Sequence, residues 1–192
     1  MNKVLYIILG IVAIVAFWFY YTYNTMIERE EKVHKSWSQV ENVYQRRNDL
    51  IPNIVNVVKS YSEFEKSTIV KVTEARSIAL STQVNDNSNT ESISNFDKAQ
   101  QNVGEALNQL IVSVENYPEL KTSEHFLTLN TELDGCENRI KVERRNYNKA
   151  AEDFNRFIRV FPNSMIANSL GFKKMAYFEN NEDSQNVPSV NL

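Results

Sequence analysis

WSQVENVYQRRNDLIPNIVNVVKSYSEFEKSTIVKVTEAR, residues 37–76, decides how this chain folds. Ahead of Asn48-Asp49, the residues Val33, Trp37, Val40 and Tyr44 fall at i, i+4, i+7 and i+11, one narrow face of a helix. Beyond it, Leu50, Ile54, Val57, Tyr61 and Phe64 take up the 4-3-4-3 spacing, and Val72, Ala75 and Ala79 continue it with smaller side chains. Between the two segments, Arg46 and Arg47 suit a helix C-terminus, and Asn48 suits a left-handed residue just past it. Asp49 suits an N-cap, with Pro52 in the first turn of a new helix, where no amide is needed. The stretch therefore predicts a break at 48–49 and a second helix over roughly Leu50–Ser81. The alternative is one helix merely kinked at Pro52. From Asn24 to Gln83 it would run about 90 Å, beyond what the later helices could cover.

Upstream, residues 4–23, VLYIILGIVAIVAFWFYYTY, carry no charge. At helical rise they span about 30 Å, the thickness of a bilayer's hydrocarbon core. Phe17, Trp18, Tyr20, Tyr21 and Tyr23 crowd one end and Tyr6 sits near the other, in the manner of interfacial aromatic belts. A cleaved signal peptide would want a shorter apolar core and a small-residue cleavage site, whereas this run ends in bulky aromatics. The run reads as a transmembrane helix after a short flank, residues 1–3. Arg29, Lys32 and Lys35 after the run outnumber Lys3 before it, which favours a cytoplasmic domain. The immediate adjacency of Lys3 to the run argues the other way.

Downstream, the polar linker QVNDNSN, residues 83–89, leads to Ser88-Asn89-Thr90-Glu91, which reads as a capping box. The helix it opens places Ile93, Phe96, Gln100, Val103, Leu107, Leu110, Val114 and Tyr117 on one seam until Pro118. A further helix from Thr122 or Ser123 aligns Phe126, Leu129, Leu133, Cys136, Ile140, Glu143, Tyr147, Ala150, Phe154, Phe157 and Phe161 in coiled-coil fashion before Pro162 stops it. Met165–Leu170, with Gly171 as stop, forms a short docked piece. Residues 179–192 are polar, without Lys or Arg, and read as a disordered tail. The expected fold is all-α: a transmembrane helix followed by an antiparallel up-and-down four-helix bundle over residues 24–178.

Composition closes off several functions. Lys and Arg number 21 against 24 Asp and Glu, spread along the chain, so there is no basic patch for nucleic acid. Four glycines and four prolines disfavour a many-turned β fold and a Gly-rich phosphate loop. The single cysteine, Cys136, excludes an intrachain disulfide.

The motifs carry a family resemblance. WSQVENVYQRRNDLIPNIVNVVKSY (37–61), VTEAR (72–76), ENYPELK (115–121), FLTLNTELDGCENRI (126–140, with Arg139), RRNYNKAAEDFNRFIRVFPNSMIA (144–167) and GFKKMAYF (171–178) together resemble the LemA family. The resemblance covers roughly residues 20–178 and implies a bacterial protein with an N-terminal membrane helix, a short exterior N-terminus and a four-helix-bundle domain. It implies no defined reaction. Cys136 departs from the small hydroxyl residue usual there.

Candidate chemistry is sparse. Glu31-Lys32-Val33-His34 has the E-x-x-H spacing of di-iron bundles, but such a site needs that pair twice plus two more inward carboxylates. The other histidine, His125, has Thr122 three residues before it. Cys136 shares a seam with Leu133 and Ile140 and reads as core; His125 is eleven residues away, about 16 Å along a helix, too far for a catalytic pair. Trp37 and Tyr147 read as core aromatics. Arg46 and Arg47 read as a helix end, with phosphate or lipid headgroup binding as the functional alternative. Gln100 and Glu143, polar entries on apolar seams, are expected to meet Arg or Lys and fix helix register. The sequence thus points to a membrane-tethered module that binds a protein partner or itself, with no cofactor. A Glu31/His34 metal enzyme and a membrane-surface regulator using Arg46 and Arg47 are the alternatives.

Overall fold

The computed structural model describes residues 2–61 and 64–179. Its first helix, α1, runs unbroken from Asn2 to Lys59, 58 residues with Pro52 inside. At 1.5 Å per residue that is about 87 Å. The expected break at 48–49 is absent. Asp49 is no N-cap; it lies mid-helix and accepts from Gln45 Nε2 at 2.9 Å. Two physical reasons keep the helix whole. The buried residues Val33, Trp37, Val40, Tyr44, Arg47, Ile51, Ile54 and Val58 keep one 4-3 rhythm straight through the proposed break, with Arg47 as the step that a search for apolar side chains skips. Proline at 52 also denies the Asn48 carbonyl its i+4 amide donor. Arg76 Nε supplies the missing donor at 2.8 Å. The core line therefore passes through Ile51, Ile54, Val55 and Val58, leaving Leu50 and Val57 at its edge.

The expected second helix is accordingly divided. Its first part belongs to α1, the chain turns at Ser60 and Tyr61, and α2 spans Lys66–Ser81. Helix α3 spans Thr90–Val114. Its cap is Asn89, not Ser88: the Asn89 side chain accepts from the Glu91 and Ser92 amides at 2.9 and 3.1 Å. Ser88 turns back to Asp86 instead, at 2.7 Å from its hydroxyl. Pro118 occupies the first turn of a four-residue helix, α4, Pro118–Lys121. Helix α5 runs Glu124–Arg159, and α6 runs Asn163–Leu170 with Pro162 just before it. Gly171 ends α6 at φ 79°, a left-handed position that favours glycine. Residues 172–179 then follow α5 as a non-helical strap. Among the described residues there is no strand. Of residues 179–192, read from sequence as a disordered tail, 180–192 lie outside the described residues.

Helices α1 and α5 lie antiparallel along one another: Arg29 stacks on Phe157 at one end and Arg47 pairs with Glu137 farther along. Helices α2 and α3 form the second pair, closed where Phe64 meets Tyr117. The interior has two apolar halves. One gathers Met26 to Tyr44 of α1, Ile93 and Phe96 of α3, Ile140 to Ile158 of α5, and α6 with the strap. The other gathers Ile51 to Val58, the apolar face of α2, Val103 to Val114, Leu120, Phe126 and Leu133. Phe161, expected on the α5 seam, lies beyond the helix end and is 77% exposed. The run from Val4 to Tyr21 stands clear of the domain on most of its faces, as a helix long and apolar enough to cross a membrane.

Candidate functional site

Between the two apolar halves lies a layer of buried polar side chains. Arg47 is at its centre, 2% exposed. Its guanidinium donates to Glu137 Oε1 at 2.7 Å, to the Gln100 carbonyl at 2.8 Å and to Gln100 Oε1 at 2.7 Å. A buried cation is tolerable only when acceptors meet it in this way. Beside it Arg144 of α5 grips both carboxylate oxygens of Asp97 on α3, one at 3.0 Å, and lies 4.5 Å over the Phe178 ring. Burial opposes the charge on Arg144, but the neighbouring Tyr44 and Asp97 outweigh it and hold the guanidinium above its ordinary value. Burial pushes the Tyr44 phenol up, against the pull of Arg144. The two arginines thus tie α1, α3 and α5 together at one height. A one-turn slip of any of them would strand a charge.

Next to the layer is an aromatic cluster. Trp37 is stacked on Phe178, with centroids 5.6 Å apart, and meets Phe96 and Tyr147 edge-on at 5.2 and 5.3 Å. The strap closes this cluster through backbone bonds. Asn155 donates to the Met175 carbonyl and accepts from the Met175 amide, at 2.9 and 2.8 Å. Asn148 does the same to Phe178, at 2.9 Å in both directions. The Tyr147 hydroxyl donates to the Ala176 carbonyl at 2.9 Å, and burial, with Tyr177 nearby, holds its pKa far above the ordinary tyrosine value.

The sequence-derived candidates divide accordingly. Trp37, Arg47, Gln100 and Tyr147 converge on this interior. Arg47 is no helix end and no surface phosphate or lipid site, because it is buried in its pair. Arg46 is exposed, 4.0 Å from Glu132. Gln100 meets an arginine as expected; among the described residues Glu143 meets none and accepts from Asn146 on its own helix. The register pair on α5 is Arg144, one residue on. Cys136 is buried and free, with its thiol pushed up by burial, which is the wrong direction for a nucleophile. Arg139 is exposed, Asp49 accepts through its side chain from Gln45 on the same helix, and Pro52, Pro118 and Pro162 act through the backbone. Glu31 and His34 are exposed, and no third metal-ligating side chain joins them among the described residues.

Sequence reading missed Asp97, Arg144, Asn148, Asn155 and Arg76. A signal was present for three of them: Arg144, Asn148, Ala151, Asn155 and Ile158 form a second 4-3 stripe beside the apolar seam of α5. A cleft of about 360 Å³ opens over the layer between Asn48, Gln83, Asn85 and Gln100, with Glu41 its only charged lining residue. Its amides can exchange hydrogen bonds, but no nucleophile, base and orienting group converge there.

Comparison with known proteins agrees with the pattern. The model of the LemA family matches residues 36–192. Protein LemA of Metamycoplasma hominis is 28% identical over 183 residues, covering 94% of this chain and 80% of that protein. Magnetosome protein MamQ 2 of Paramagnetospirillum magneticum is 26% identical over 175 residues, 82% of this chain and 64% of that protein. Magnetosome protein MamQ of Magnetospirillum gryphiswaldense is 23% identical, over 81% of this chain and 64% of its own length. With the family model spanning most of the domain, this chain belongs to the LemA family.

Proposed function

We propose that this chain is a single-pass, membrane-anchored four-helix bundle that serves as a protein-interaction or scaffolding module and carries out no reaction. Residues 4–23 hold it in the bilayer, and residues 24–178 form the up-and-down bundle that engages a partner protein or a second copy. The basic residues following the run favour the cytoplasmic face. The observation that carries the reading is α1, 58 residues without interruption. A partner docked at the far end of the domain is thereby held about 50 Å from the membrane, at a fixed height. The interior supports the same reading, because its arginines, amides and tyrosines are engaged in holding helices and strap together.

Crosslinking in cells with mass spectrometric readout, on chains carrying a photoreactive residue at exposed positions of α2 and α3, tests it. A reproducible partner or self-contact at the same positions is the expected result. A strictly monomeric chain in mild detergent that captures nothing in cells would contradict it.

A further inference from the structure

The packing of α6 has a consequence for where the domain sits, resting on the reading of residues 4–23 as membrane-spanning. The domain does not begin below the apolar run; it overlaps it. Thr22 is buried and Trp18 half-buried against the core that contains Ile166 and Ala167 of α6, and Tyr23 meets Phe172 with ring centroids 6.4 Å apart. The α1 segment from Trp18 to Met26 that α6 and its flank cover is about 12 Å long. If residues 4–23 fill the hydrocarbon core, that segment straddles its edge, so α6 is level with the lipid headgroups.

The surface presented there suits that level. Val160, Phe161, Met165 and Leu170 are exposed by 51, 77, 66 and 46%. They cluster at the anchor end of the molecule, and large exposed apolar groups gathered in one place mark a contact surface. Around them, Arg156, Arg159, Lys173 and Lys174 are exposed, and residues 154–178 contain no Asp or Glu. Apolar side chains rimmed by an excess of cations, with Asp86 of the linker in electrostatic reach of Lys173, are the composition of an element lying in the membrane interface.

The geometry points to α6 and its flanks as a second membrane contact, with Phe161 and Met165 among the acyl chains and the four basic residues on anionic headgroups. The anchor and this contact fix the tilt of the domain as well as its tether. The occupant is lipid, since the surface is continuous with the transmembrane run.

The test uses the full chain with Cys136→Ser, labelled with an environment-sensitive fluorophore at Met165→Cys. The protein is reconstituted in phosphatidylcholine vesicles with and without phosphatidylglycerol, and quenched by a mixture of lipids nitroxide-labelled near the headgroup and near the end of the acyl chain, so that every depth of the bilayer is sampled. Labels at Ile14→Cys and Val142→Cys serve as in-membrane and out-of-membrane references. The position-165 label is expected to lose most of its emission, as the position-14 label does, while position 142 keeps its own. Lys173→Glu/Lys174→Glu should weaken the loss only when phosphatidylglycerol is present. Quenching at 14 with none at 165 overturns the inference and leaves the anchor intact, including the case in which 165 is shielded by protein. No quenching at 14 overturns the anchor reading itself.

Discussion

Arg47 shows what one residue decides here. Its guanidinium joins α1 to α3 and α5, and removing it leaves Gln100 and Glu137 without their donor. Arg47→Met should cost about 3 kcal/mol, the scale for breaking a buried pair from one side. Adding Gln100→Leu should recover part of that loss, read from denaturant midpoints. Tyr147 sets a pH limit. Its folded-state pKa is raised above the ordinary 10.0, mainly by burial, so its contribution is complete below that value and is lost as pH climbs toward the raised one. Melting temperature should therefore fall above about pH 10. Tyr147→Phe should flatten that fall while costing about 1 kcal/mol at neutral pH for the lost bond to Ala176. In sequence, Trp37, Gln100 and Tyr147 were legible because their positions on the seams are regular. Arg47 was misplaced because two adjacent arginines before Asn-Asp look like a helix end, and burial of a cation is visible only once its acceptors on α3 and α5 are in place.

At the scale of the element, the continuity of α1 rests on a contact made far along the chain. Local signals at Asn48, Asp49 and Pro52 argue for a stop, and they lose because Arg76 caps the Asn48 carbonyl from α2. The two residues are therefore energetically coupled. Arg76→Ala should destabilise the protein by about 1–2 kcal/mol, and by clearly less in a Pro52→Ala background where the helix supplies its own donor. A double-mutant cycle by urea unfolding measures the difference; equal costs in both backgrounds would separate Arg76 from the proline. The seams of α3 and α5 were readable almost residue by residue, since amphipathic period is a local property. The strap was recognised as a motif but not placed, because backbone clamps by Asn148 and Asn155 leave no mark on hydropathy.

For the whole molecule, the helical class, the apolar run and the family were legible from the chain, and the path between 48 and 66 was not. That difference matters for the proposed function: a hinge at 48–49 would let the distal half of the domain swing, whereas an unbroken α1 would fix its height above the bilayer that residues 4–23 are proposed to span. The most direct test is an electron–electron double resonance distance between spin labels at Ile14→Cys and Asn56→Cys, in the full chain with Cys136→Ser, reconstituted in lipid nanodiscs. A straight helix separates those positions by 42 residues, about 63 Å, with a narrow distribution. A markedly shorter or broad distribution would contradict the rod and, with it, the module held at fixed height.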